Sequence, residues 1–266
     1  MEVNMNTEKN FALLIDADNV SYNYLPIMLE EAKRYGNVAI RRIYGDWTDC
    51  RKNTWKDILL ENSIIPIQQY SYTIGKNASD SAMIIDAMDI LYSDQVSGFI
   101  IVSSDSDFTR LAMRLREACM TVIGMGESKT PTAFVKACEE FKLLDVLYKN
   151  TASDSTSKDT DKSHLPKSGK EYEKVEAKPM TSLSEIKKSM CDILENNSDE
   201  DGKMLLSEMG RLLTKTYPDF DPRNYGRERK LSEFIKKMPE FKVDKVYFEG
   251  NTRPPLAYIM HQSKND

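Results

Sequence analysis

The chain has 266 residues, enough for at least one well-buried core and, as a starting expectation, for two domains. It carries 37 basic and 42 acidic residues, and the whole excess of five acids lies in residues 1–150. No apolar run approaches the roughly 20 residues that cross a bilayer, and no early segment has the pattern of a signal peptide. The four cysteines form no C-x-x-C pair, which argues against a disulfide framework or a zinc ribbon. We therefore expect a soluble, cytoplasmic protein without a membrane partner.

Short apolar runs alternate with longer amphipathic segments through the first part of the chain. The runs cover residues 11–15, 38–44, 64–70, 99–102 and 121–124. Residues 81–92 and 108–118 show helical spacing of their apolar side chains. This alternation is typical of a parallel sheet wrapped by helices, so we predict an α/β domain over residues 1–149.

The composition changes after Lys149. Residues 150–180 are rich in Ser, Thr, Asp and Lys and nearly free of large aliphatic side chains, which predicts a flexible linker. Residues 181–266 contain three segments of helical period, followed by two strand-forming runs with a turn between them. Three short helices and a β-wing predict a small winged-helix (α+β) domain.

Acidic side chains follow two of the predicted strands. "FALLIDADN" ends its strand at Asp16, and "FIIVSSDSDF" ends its strand just before Asp105 and Asp107. Asp80, in "GKNASDSAMIIDAMD", opens the helix between them. Functional groups of an open parallel sheet collect outside the carboxyl ends of its strands, so we expect all four carboxylates at one edge.

Clustered carboxylates repel one another, and a bound cation is the usual relief. Oxygen ligands without a neighbouring His or Cys indicate Mg²⁺ or Mn²⁺. The two histidines, His164 and His261, lie beyond residue 149, which argues against zinc hydrolysis and against a Ser-His-Asp triad in the first domain. A carboxylate-held pair of Mg²⁺ ions suffices to hydrolyse a phosphodiester.

The chemistry suggests a role for each polar residue at this edge. Asp16, Asp80 and Asp105 are the expected direct ligands, and Asp107 is expected to bind through water or to hold a second ion. Asn19, and more weakly Ser104, would hold a phosphate oxygen or a metal-bound water.

Each of these residues also has a structural interpretation. Asp107 with Ser106, and Asp80 or Ser79, can act as helix caps. Asp18 and Asn19 can be turn residues, and Asp86 inside the helix can serve packing.

Three segments resemble a known family. "LLIDADN", "SDSAMIIDAMD" and "IIVSSDSDFTRLAMRLREA" resemble, in order and spacing, the acidic motifs of the NYN domain, a branch of the PIN-like metal-dependent ribonucleases. The resemblance covers about residues 10–147 and implies a three-layer PIN-like fold that hydrolyses RNA phosphodiester bonds. It also implies that Asp16, Asp80 and Asp105 bind the catalytic Mg²⁺ or Mn²⁺, with Asn19 and Asp107 in support.

Residues 212–243 look like the OST-HTH or LOTUS module, a winged-helix unit linked to RNA binding and to protein contacts. Arg227 stands where family members typically have an aromatic residue after "NYG". Residues 211–245 contain 10 basic and 6 acidic side chains with interleaved aromatics, which suits RNA. Tyr217, Phe220 and Phe234 fit a hydrophobic core as well as they fit stacking platforms.

Two groups of basic residues are candidates for RNA contact. The first group, in the module, comprises Arg223, Arg227, Arg229 and Lys230. The second, near predicted strand ends or helix starts of the first domain, comprises Arg41, Arg42 and Arg110.

Three functions remain open at this point. The leading one is a Mg²⁺- or Mn²⁺-dependent endoribonuclease whose winged-helix module binds RNA, with a protein as the module's alternative partner. A haloacid dehalogenase-like phosphatase would use Asp16 as nucleophile and Asp18 as acid. A non-catalytic adaptor would use both domains only to bind RNA or protein.

Overall fold

The computed structural model describes residues 9–49, 52–70, 78–154, 181–226, 228–246 and 256–262. The five predicted strands are confirmed, and a sixth was not predicted. They are β1 (Asn10–Asp16), β2 (Asn37–Gly45), β3 (Ile65–Gln68), β4 (Gly98–Val102), β5 (Thr121–Gly126) and β6 (Glu140–Leu143). They form one sheet in the order β3-β2-β1-β4-β5-β6, and every pair is parallel. All six carboxyl ends therefore lie at one edge.

Helices connect the strands. They are α1 (Leu25–Ala32), α2 (Asn53–Glu61), α3 (Ala78–Tyr92), α4 (Thr109–Glu117), α5 (Thr132–Ala137) and α6 (Leu144–Asp154). The two helices predicted at residues 81–92 and 108–118 correspond to α3 and α4. A short 3-10 turn, Ser106–Phe108, precedes α4.

Both faces of the sheet are buried, which explains why its central strands are almost continuous apolar runs. In β1, Ala12 and Leu14 pack on one face with α3 and α4, while Leu13 and Ile15 pack on the other face with α1 and α6. All four side chains are fully buried. The result is the expected α/β domain of three layers.

The C-terminal part forms a second unit with a core of its own. Its elements are α7 (Leu183–Asn197), β7 (Lys203–Leu205), α8 (Leu206–Thr216), α9 (Leu231–Lys236), β8 (Phe241–Val246) and β9 (Leu256–His261). The strands form an antiparallel sheet in the order β7-β9-β8. Ile186, Met209 and Ile235, one from each helix, meet in its core. Three helices and two wing strands agree with the sequence, and the turn between β8 and β9 lies outside the described residues.

The predicted linker falls almost wholly outside the described residues. Its first residues, 150–154, form the end of α6. Among the helices that the structure describes, none is long and apolar enough to pass through a membrane.

Candidate metal centre and nucleic-acid interface

Asp16 ends β1 at the carboxyl edge of the sheet, with only 1% of its surface exposed. One carboxylate oxygen accepts the backbone N–H of Asp18 at 2.9 Å, and the other accepts Asn19 Nδ2 and Ser103 Oγ, both at 2.7 Å. Burial raises the pKa of Asp16, although the hydrogen bonds from Asn19 and Ser103 oppose that shift. Both oxygens of Asp16 are thus engaged by the protein, and Asn19 serves to orient this carboxylate.

The segment after β4 is organised by hydrogen bonds to its own side chains. Ser103 Oγ accepts the backbone N–H of Asp105 at 3.0 Å, and Asp105 Oδ1 accepts the N–H of Asp107 at 3.0 Å. The side chain that caps the 3-10 turn before α4 is therefore Asp105, and not Asp107 or Ser106 as the capping interpretation held. Capping fixes the position of the Asp105 carboxylate.

Three carboxylates converge at this edge. Each of Asp80, Asp105 and Asp107 offers an oxygen that lies within 4.8 Å of the other two. Asp80 lies in the first turn of α3 and is buried, while Asp107 is exposed, so the group opens from the interior to the surface. Burial, and then the charges of Asp16, Asp105 and Asp107, raise the pKa of Asp80 to about 6.

This geometry fits a hard divalent cation. The group offers only carboxylate oxygens, which Mg²⁺ and Mn²⁺ accept, and mutual repulsion strains it when all members are ionised. Asp16 is not a member of the group, although its charge acts on Asp80. The structure therefore brings together three of the four predicted ligands, while the fourth, Asp16, is buried at the end of β1 with both oxygens in hydrogen bonds.

Asp18 and Ser104 connect the site to neighbouring loops. Lys52 Nζ pairs with Asp18 at 2.5 Å, and Ser79 donates its hydroxyl to Asp18 at 2.8 Å. Ser104 Oγ accepts the backbone N–H of Glu127 at 3.0 Å.

The burial of Asp16 argues against the phosphatase alternative. That alternative requires Asp16 to reach the substrate as a nucleophile, and only 1% of its surface is exposed.

Asp86 ties α3 to the sheet. Its carboxylate accepts hydrogen bonds from Arg42 and from the hydroxyl of Tyr44, both on β2. Arg41 donates to the carbonyl of Asn62 at 3.2 Å. Arg41 and Arg42 thus take part in contacts within the domain, which supports the packing interpretation of Asp86.

Arg110 has a different position from the other candidate arginines of this domain. It lies in the first turn of α4, directly after the 3-10 turn that holds Asp107, and it is exposed.

Two of the basic residues predicted in the C-terminal unit, Arg229 and Lys230, are exposed before α9, and Arg223 pairs with Glu31 of the first domain. Arg229 also lines the cleft between the units, together with Glu31 and Arg223. Arg227 lies outside the described residues. The sequence analysis did not single out four further exposed lysines: Lys236, Lys237, Lys242 and Lys245.

The interleaved aromatics of this unit pack on one another. Rings of Phe220, Tyr225 and Phe234 have centroids 5.7–6.1 Å apart, and Phe220 and Phe234 are buried. Tyr217 packs against the same core. The core interpretation of these residues therefore holds.

Comparison with protein families adds the decisive observation. The family model for the NYN domain matches residues 10–145, about half of the chain. The chain belongs to the NYN family. A second model, for the OST-HTH/LOTUS domain, matches residues 181–247 of this NYN protein. Both resemblances noted in the sequence are confirmed.

Among solved structures, the NYN protein is similar to a protein of unknown function from Vibrio parahaemolyticus. The TM-score is 0.45 and the identity 19%, over 52% of this chain and 94% of that one. No curated protein matches.

The two families indicate the kind of function. The NYN domain, with its PIN-like nuclease fold, indicates a nuclease-like, RNA-related function, and the OST-HTH domain indicates RNA or protein binding.

Proposed function

We propose that the NYN protein is a Mg²⁺- or Mn²⁺-dependent endoribonuclease. The observation that carries this proposal is the convergence of Asp80, Asp105 and Asp107 at the carboxyl edge of the NYN sheet, with oxygens within 4.8 Å of one another. An ion held there would supply the Lewis acidity and activated water that promote phosphodiester hydrolysis. This clustering of carboxylates favours a nuclease over a pure adaptor, because binding RNA or protein alone does not require three acids that repel one another.

The chain's own residues prepare this site. Asp105 is positioned by capping the turn before α4, and Asp80 by its place in the first turn of α3. Asp16 adds a negative charge that acts on Asp80, and Asn19 and Ser103 fix the orientation of Asp16 by hydrogen bonds. Their role is to hold the ligand group in one arrangement.

RNA would be held mainly by the OST-HTH domain. Arg229 and Lys230 precede α9 and are exposed, and the exposed lysines of α9 and β8 extend the same basic stretch. Such residues meet phosphates without regard to sequence. Arg110 would guide the RNA backbone toward Asp107. Its positive charge would offset part of the acidic character of the first domain.

The test is cleavage of an end-labelled single-stranded RNA by the purified full chain. We expect products with Mn²⁺ or Mg²⁺ and none with EDTA, and we expect Asp105→Asn to abolish them. Asp89→Asn, which alters an exposed acid on α3, is the matched control and should cleave as the wild type does. A wild-type chain that binds RNA but cuts no RNA with either ion would leave the adaptor function in place.

A further inference from the structure

The OST-HTH unit contacts the NYN domain through the segment between α8 and α9. There, the backbone N–H of Phe141 on β6 donates to the carbonyl of Pro218 at 2.7 Å. Because β6 is the last strand of the sheet, this bond satisfies a group of an open sheet edge. The contact therefore uses backbone as well as side chains.

Arg223 forms the centre of the contact. Its two terminal nitrogens donate to both oxygens of Glu31 at 2.6 and 2.8 Å, and it also pairs with Asp221 at 2.7 Å. Only 2% of the Glu31 side chain and 14% of the Arg223 side chain are exposed. A two-point pairing of guanidinium with carboxylate has one favoured geometry, so it sets orientation as well as proximity.

A second set of contacts surrounds this pair. Lys142 on β6 bridges Asp221, at 3.1 Å, and Glu140, at 3.3 Å. The hydroxyl of Tyr35 donates to Glu140 at 2.7 Å. Burial raises the pKa of Asp221, but the hydrogen bond from Arg223 and the charge of Lys142 outweigh it and hold this pKa well below its usual range.

Asn150 completes the contact from α6. Its Nδ2 donates to the carbonyl of Arg223 at 2.9 Å. Asn150 was predicted to be the first residue of the flexible linker. It lies instead in α6 and contacts the C-terminal unit, so the helix continues past the predicted boundary.

These buried charges would cost free energy if they were left unpaired. Glu31 belongs to the NYN domain and Arg223 to the OST-HTH unit, so separating the units would leave Glu31 with only the partly exposed Arg34, at 3.4 Å, and Arg223 with Asp221 of its own unit. Buried ion pairs add little net stability but can enforce one arrangement of the groups that they join.

The contact leaves the proposed functional surfaces open. Glu31 is in the last turn of α1, just before β2 begins, and therefore lies toward the amino edge of the sheet. The three carboxylates lie at the carboxyl edge, and Asp107 and Lys230 stay exposed with the units in contact.

We infer that the segment between α8 and α9 is a docking element, centred on Arg223, that holds the OST-HTH unit and the NYN domain as one rigid body. Arg223 is then an interdomain residue and not an RNA contact. The OST-HTH unit, with the exposed lysines of α9 and β8, is then held at a fixed orientation to the edge of the sheet that carries the three carboxylates, instead of being carried on a freely moving tether. This inference does not depend on the nuclease proposal.

The test is ¹⁵N relaxation of the full chain, which gives a rotational correlation time for each unit. We expect one common value for both units of the wild type. Two different values, each near that of an isolated domain of its size, would overturn the inference.

Variants test whether Arg223 is the residue that holds the two units together. Arg223→Ala should shorten the correlation time of the OST-HTH unit relative to the NYN domain. Since this variant removes the two-point partner of Glu31 and leaves it only Arg34, the double variant Glu31→Gln with Arg223→Ala repeats the test without the charge of that carboxylate. Arg211→Ala removes an exposed ion pair within the same unit, with Glu208, and should keep the common value. A common value in both Arg223 variants would show that this residue does not hold the units together.

Discussion

Ser103 donates its hydroxyl to Asp16 at 2.7 Å, and the same oxygen accepts the backbone N–H of Asp105 at 3.0 Å. One fully buried side chain therefore joins the acid at the end of β1 to the acid that follows β4. The pairing of β1 with β4 therefore helps to fix the positions of Asp16 and Asp105 relative to each other.

Removing this link should weaken metal binding. In Ser103→Ala, Asp16 loses one of its donors and the N–H of Asp105 loses its acceptor, so we expect Mn²⁺ affinity to fall about 10–100-fold. Isothermal titration calorimetry measures it. Ser93→Ala is the matched control, because that hydroxyl donates to the carbonyl of Ile90 at the C-terminal end of α3. Ser104 is not used, since it is itself a candidate residue of the site. Equal affinities for the two variants would contradict this role of Ser103.

Asp80→Asn should stabilise the metal-free protein. Since the folded-state pKa of Asp80, about 6, lies above its ordinary value of 3.8, ionisation disfavours the fold. Stability contributed by the protonated group is present below pH 3.8 and is lost as the pH rises to about 6. At pH 7.5 in EDTA, we expect a gain of about 1–2 kcal/mol after allowance for solvent screening.

Urea unfolding with EDTA and with Mn²⁺ measures both sides of this effect. Mn²⁺ should stabilise the wild type and add little to Asp80→Asn. Asp89→Asn should behave as the wild type in both conditions. If Asp80→Asn is less stable than the wild type in EDTA, then the ionised carboxylate of Asp80 does not destabilise the folded protein.

Metal affinity should depend on pH through the same group. Below pH 6, an ion must displace the proton of Asp80, so apparent Mn²⁺ affinity should fall up to about tenfold per pH unit. Above pH 6 it should level off. Calorimetry between pH 5 and pH 8 follows this curve, and a flat profile across pH 6 would exclude Asp80 as the titrating ligand.

Lys230→Ala should weaken RNA binding uniformly across RNA sequences. Loss of one phosphate contact should also reduce the slope of log affinity against log salt by about 1. Fluorescence anisotropy with labelled RNA at several salt concentrations measures both. Lys33→Ala, an exposed lysine just after α1, is the control and should change neither quantity.

Arg223→Ala should destabilise the chain by about 1–3 kcal/mol, because Glu31 loses its two-point partner and keeps only the partly exposed Arg34, at 3.4 Å. Arg211→Ala, which breaks an exposed pair, should cost about 1 kcal/mol or less. Urea unfolding of the full chain compares them. Similar small losses for both would mean that Glu31 is less dependent on Arg223 than its burial indicates.

Much of this architecture could be predicted because the signals are local. The apolar runs of β1 and β4 end in Asp16 and in the segment of Asp105, and a parallel sheet must bring such ends to one edge. β6 was missed because its sequence, "EFKL", alternates charged and apolar side chains instead of forming an apolar run, and because it passes directly into α6.

The remaining contacts depend on residues far apart in the chain. Arg223 and Glu31 are separated by 192 positions, and a basic stretch gives no sign of which member has a buried partner. Ser103 likewise reveals its link to Asp16 only when β1 and β4 are paired. Local patterns thus located the carboxylates, while the grouping of Asp80, Asp105 and Asp107, and the burial of Asp16, required the packed structure.

The most direct test of the metal centre is anomalous diffraction from crystals of the NYN protein grown with Mn²⁺. We predict a peak within coordination distance of the carboxylates of Asp80, Asp105 and Asp107, and its loss in Asp105→Asn. The absence of a peak at these three carboxylates in the wild type, at a Mn²⁺ concentration that supports RNA cleavage, would contradict the account.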